Sequence, residues 1–87
     1  MKILSGVTKS IPVEYVLVER KNLIEVADWC NGTVVGLSGV EYCAEGLTHA
    51  VVWFRVMVGE YLLKANGEFT DYTSEEFERL IDASPDE

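Results

Sequence analysis

The dipeptide Asn66-Gly67 sits between two short runs rich in aliphatic and aromatic residues, Glu60–Ala65 (EYLLKA) and Glu68–Tyr72 (EFTDY). A two-residue turn of type I′ needs positive φ at both central positions, and Asn-Gly reaches that conformation at the least steric cost. The pair therefore predicts an antiparallel hairpin, and any fold proposed for the chain must carry an antiparallel sheet through it. With 87 residues there is no room for a second ordinary domain, a dinucleotide-binding fold or an α/β barrel. Residues 1–87 are read as one domain, with 1–10 and 84–87 loosely ordered.

Other elements follow from pattern. Ile11 to Val18 (IPVEYVLV) is β-branched and aromatic, with Pro12 near its start, and reads as a strand. Asn22 reads as the N-cap of a helix whose buried stripe is Leu23, Val26, Ala27 and Cys30. Asn31-Gly32 supplies its left-handed stop. Thr33 to Leu37 reads as a short strand, and Ser38 to Thr48 as a loop or long hairpin connection. Ala50 to Val58 (AVVWFRVMV) is the most hydrophobic stretch and reads as a central strand covered on most of both faces. Arg55 is the exception within it and must reach an edge or a carboxylate. Thr73 and Glu76 form a T-x-x-E capping box opening a last helix with Phe77, Leu80 and Ile81 buried, and Ser84-Pro85 ends it. The order β-α-β-β-β-β-α predicts an α+β domain, with a largely antiparallel sheet of four to five strands and two short helices.

Charge and cysteine usage narrow the function classes. Of the net charge of −8, −7 falls after Gly67, where eight acids face Arg79 alone. Direct binding to nucleic-acid phosphates runs on Lys and Arg, so this balance excludes it. The longest charge-free stretch, Trp29 to Val40, is 12 residues and holds three glycines, against about 20 apolar residues for a membrane span. Ile3-Leu4, between Lys2 and Ser5-Gly6, is too short for the apolar core of a signal peptide. Cys30 and Cys43 are too few for a disulfide framework. Two reduced thiols in a cytosolic protein, with no cofactor and no metal, are expected.

The segments Asn22-Leu23-Ile24-Glu25-Val26-Ala27-Asp28-Trp29-Cys30, Gly59-Glu60-Tyr61-Leu62, Gly67-Glu68-Phe69 and Phe77-Glu78 together resemble a family of small bacteriophage-encoded proteins. That family shows an Asn-x-x-Glu-Val-Ala-x-Trp/Phe-Cys helix, then Gly-Asp-Tyr/Trp-Ile, Gly-Glu-Phe-Tyr and a helix opening in Phe-Glu. The chain departs from it at Glu60, where the family has Asp, and at Thr70, where it often has Tyr. The resemblance implies a phage genome, the host bacterial cytoplasm and a fold, and it brings no established activity.

Nothing in the sequence assembles a reaction centre. A Cys–His pair would need Cys30 or Cys43 beside His49, the lone histidine, yet Cys30 falls on an apolar helix stripe and Cys43 lies between Glu41 and Glu45. The scattered glycines match no phosphate-binding loop. No enzyme is expected. Trp29, Trp53, Met57, Tyr61 and Tyr72, with Arg55, are the candidate interface residues, because half-exposed aromatics and arginine anchor protein contacts. Glu75, Glu78 and Asp82 share a helix face and are candidates for an acidic contact that imitates DNA phosphates. The expected function is therefore that of a phage accessory protein that binds a host protein, with a homodimer as a further partner. The alternatives are a domain that sequesters a small molecule such as a nucleotide signal, in a pocket between sheet and first helix, an acidic DNA mimic, and a minor virion or assembly protein.

Overall fold

A computed structural model describes residues 1, 3–8, 11–45 and 50–82. Among these the chain runs β1 (Leu4–Thr8), β2 (Ile11–Leu17), a 3-10 turn (Arg20–Asn22), α1 (Leu23–Cys30), β3 (Thr33–Val35), β4 (Gly39–Glu45), β5 (Val51–Met57), β6 (Tyr61–Ala65), β7 (Glu68–Tyr72) and α2 (Ser74–Asp82). The predicted α+β class and antiparallel pairing hold, but the strands divide between two sheets. Sheet A has four strands in the order β1-β2-β6-β7, and sheet B has three in the order β3-β4-β5.

The division follows from which side chains alternate inward. In sheet A, Val16 and Leu62 point to one face and Val13 and Leu63 to the other. The first face meets sheet B and α1: Val16, Val18 and Leu62 share a core with Leu23, Val26, Ala27 and Cys30 of α1 and with Val40, Tyr42 and Val56 of sheet B. The second face is closed by α2, whose buried Phe77 joins Val13 and Leu63. There the Phe77 ring stacks on Tyr61 at 4.0 Å and lies 4.7 Å from Tyr15. Sheet A is thus the middle layer, between α2 and the layer made by sheet B and α1.

Local signals explain several boundaries. Asn66 and Gly67 take φ of 53° and 81°, and the β6–β7 pairing runs from Ala65↔Glu68 to Tyr61↔Tyr72 as the type I′ turn requires. Asn31 ends α1 in the left-handed conformation, with the Gly32 amide donating to Ala27 O at 2.8 Å. Thr73 and Glu76 cap α2 reciprocally: the Thr73 amide donates to Glu76 Oε1 at 3.0 Å and the Glu76 amide to Thr73 Oγ1 at 3.1 Å.

Leu4–Thr8 forms a strand that pairs along its length with Ile11–Tyr15. Three expectations are corrected. Within Ser38–Thr48, Gly39–Glu45 is the central strand of sheet B, held by β3 on one side and β5 on the other. Conversely Val51–Met57, the most hydrophobic run, is an edge strand, and its first five residues are exposed. Asn22 does not cap α1 with its side chain. It is buried, accepting from the Glu19 amide at 2.8 Å and donating to Leu17 O at 2.9 Å, and so ties the turn to the end of β2. The Ser84-Pro85 stop and the loose tail 84–87 lie outside the described residues.

Gly32 carries a specific steric duty. A Cβ there would stand 2.2 Å from the Glu41 carbonyl oxygen and 3.1 Å from Cys30 Sγ, so the chain can enter sheet B under α1 only without a side chain. Gly32→Ala is expected to lower the unfolding free energy by about 1–3 kcal/mol, and Thr73→Ala by about 1 kcal/mol. Urea denaturation at constant m-value checks both.

Candidate interaction surface

The candidate site is built from the β4–β5 ribbon. The register Val40↔Val56, Tyr42↔Phe54, Ala44↔Val52 places these residues on the inner face, while Glu41↔Arg55, Cys43↔Trp53 and Gly39↔Met57 fall on the outer face. Val40, Tyr42 and Val56 are buried, so the ribbon is anchored at that end. Toward the other end the inner face outruns its support: Val52 is 40% and Phe54 38% exposed. On the outer face Val51 is 72% and Trp53 59% exposed. Four consecutive apolar side chains, Val51–Phe54, therefore stand in solvent on a strand that, among the described residues, pairs on one side only.

On this outer face Arg55 and Glu41 pair with each other. Arg55 Nη2 lies 2.7 Å from Glu41 Oε2 across the ladder, which gives the arginine the carboxylate that its place in an apolar run demands. Cys43 is exposed and opposite Trp53. Beneath the overhanging end, a groove of about 300 Å³ opens between Tyr42, Ala44 and Phe54 of sheet B and Phe69, Thr70 and Asp71 of β7. Its floor is a polar tie between the sheets: the Tyr42 hydroxyl donates to Asp71 Oδ1 at 2.5 Å. Burial, reinforced by the neighbouring Asp71 carboxylate, pushes the Tyr42 phenol well above its ordinary range.

The anticipated contact residues separate. Trp53, Arg55 and Met57 come together on the outer face of β5, with Met57 half-buried. Trp29, Tyr61 and Tyr72 are half-buried and use their rings for packing. Trp29 meets Phe69 edge to face at 5.0 Å, and Tyr61 and Tyr72 lie opposite each other beneath α2. Glu75 and Glu78 are exposed on α2, where Glu75 pairs loosely with Arg79 at 3.7 Å. A pair so exposed contributes little stability. Asp82 ends the helix, and its side chain lies outside the described residues. Val51, Val52 and Phe54 as surface residues, and the Tyr42–Asp71 tie, were not among the residues expected at a site. An apolar run does not reveal whether a second layer will reach far enough to cover it.

Cys30 is buried and its Sγ lies 3.8 Å from Ala27 O. Burial pushes this thiol above its ordinary value, against a smaller opposing effect from the Gly32 backbone. His49, the base that a cysteine nucleophile would need, lies outside the described residues. Among the described residues no group of three or more His, Cys, Asp or Glu is placed to hold a metal ion, and no helix is long and apolar enough to cross a membrane. Comparison with family models, curated proteins and solved structures returned no match.

The Tyr42 shift sets an alkaline limit on stability. The folded-state pKa lies above the unfolded value of about 10, so the stabilisation is complete below that pH. It is lost above it, as the unfolded chain alone releases the proton. Tyr42→Phe is expected to be less stable than the native chain at pH 7, by about 1–2 kcal/mol through the lost bond to Asp71. The gap should narrow above about pH 10. Urea titrations at pH 7 and in the alkaline range check the sign.

Proposed function

We propose that this chain is a non-enzymatic accessory protein of a bacteriophage, working in the host bacterial cytoplasm by binding a host protein. The observation that carries the reading is the exposed apolar end of β5. A small domain that leaves Val51, Val52, Trp53 and Phe54 in solvent invites aggregation, and such patches commonly mark interaction sites. Trp53 and the neutralised Arg55 provide the anchor chemistry favoured at protein interfaces. The phage source and host cytoplasm come from the resemblance of the helix and hairpin motifs.

Affinity capture from bacterial lysate with immobilised protein tests this reading. A specific protein retained by the native chain, lost with Trp53→Ala and insensitive to salt supports the apolar surface. Steep loss with ionic strength, together with loss on Glu75→Gln/Glu78→Gln, points instead to an acidic mimic. No specific retention at any ionic strength overturns the proposal.

A second reading, sequestration of a small molecule, is favoured by one feature. A cleft of about 450 Å³ lies between sheet A and the start of α1, bordered by Val16, Leu17, Glu19, Lys21, Asn22 and Glu25. Nucleotide and metabolite titrations that raise the melting temperature would select this reading by mass action on the folded state, and an unchanged melting temperature throughout would remove it.

A further inference from the structure

Among the described residues the two sheets have four outer strands, and they are unequal. β3 is three residues long, β1 is five residues, and β7 carries Glu68 and Asp71 along its length. Short strands and charged side chains are the usual protections of an edge. β5 has neither: it is seven residues, about 23 Å at 3.3 Å per residue, without proline, and its single charge is already paired with Glu41. On a chain of net charge −8, this is a long edge that carries no acidic residue and whose one cation is matched within its own sheet.

We infer that the β5 edge pairs with β5 of a second copy, antiparallel about a two-fold axis through Phe54, joining two sheets B into one six-stranded sheet. This register is self-complementary. Trp53 falls opposite Arg55 of the second copy on the outer face, twice, placing each guanidinium beside an indole ring as cation–π contact requires. Val51 falls opposite Met57, Val52 opposite Val56, and the two Phe54 rings meet at the axis on the inner face. The unpaired ladder groups on both edges are satisfied at once. One strand pair buries less than the roughly 800 Å² per partner of a standard stable interface, so the dimer dissociates on dilution. Because each copy carries net negative charge elsewhere, added salt screens their repulsion and strengthens the association.

Sedimentation equilibrium of the purified full chain, over loading concentrations of about 10 µM to 1 mM and at two ionic strengths, tests the inference without any host component. The expected mass rises from the 9.7 kDa of one chain toward twice that value, and rises further at the higher salt. Trp53→Lys sets a cation against Arg55 of the second copy and is expected to weaken dimerisation at least tenfold, whereas Trp53→Glu sets an anion there and retains it. Trp53 is exposed, so both variants keep the fold, as unchanged thermal unfolding verifies. A mass of one chain throughout, growth beyond two chains, or equal behaviour of the two variants overturns the inference. The pairing uses the same β5 residues as the host-partner reading, so a second copy and a host protein compete for one surface. Sedimentation contains no host component, so a monomeric result overturns the dimer alone and leaves the host-partner reading to the capture experiment.

Discussion

Val18, Val26, Val40, Tyr42, Val56 and Leu62 meet with almost no solvent contact, and the rest of the molecule is arranged around that meeting. They come from both sheets and from α1, so neither sheet buries its apolar face without the other. Sheet B is small, with β3 only three residues long, and a sheet needs its hydrophobic face covered to be stable. Packed against the middle of sheet A it gains a core, and α1, an eight-residue helix too short to stand by itself, is held in the same contact.

Two polar devices set the alignment of these layers. Asn22 fastens the turn before α1 to the end of β2 through both of its side-chain groups. The Tyr42–Asp71 bond joins the centre of sheet B to β7 on sheet A. Satisfied polar groups at such depth cost little and fix one arrangement, whereas an apolar contact would tolerate sliding. The chain passes between sheets at Val58-Gly59-Glu60, where Val18 exchanges two backbone hydrogen bonds with Gly59 and Glu60.

Sheet B is longer than the surface available to cover it. The inner face of β5 is buried at Val56 and half in solvent by Phe54 and Val52, because β7 ends the supporting sheet beneath it. The same geometry that stabilises the domain thus leaves a sticky ribbon end. Arg55 is matched there by Glu41, while the acidic residues that keep the protein dispersed are concentrated after Gly67. Stabilising contacts and solubilising charge occupy different parts of the molecule, and the uncovered apolar edge lies between those two demands.

Short-range chemistry was legible in the residues alone. The Asn66-Gly67 hairpin, the left-handed stop at Asn31 and the Thr73/Glu76 capping box each depend on atoms a few positions apart, and a sequence states those distances. Arg55 likewise announced its need for a carboxylate, although not that Glu41 would supply it. What only the tertiary structure decided was coverage. Seven residues as apolar as VVWFRVM have the same pattern in the centre of a sheet or at its edge, since hydrophobicity records a tendency to be buried and not the presence of a covering layer. Whether β5 was shielded depended on sheet A ending at β7, a fact set by contacts between residues far apart in the chain. For that reason Val51–Phe54 became the exposed surface, while Tyr61, Tyr72 and Trp29, equally aromatic, turned their rings to packing.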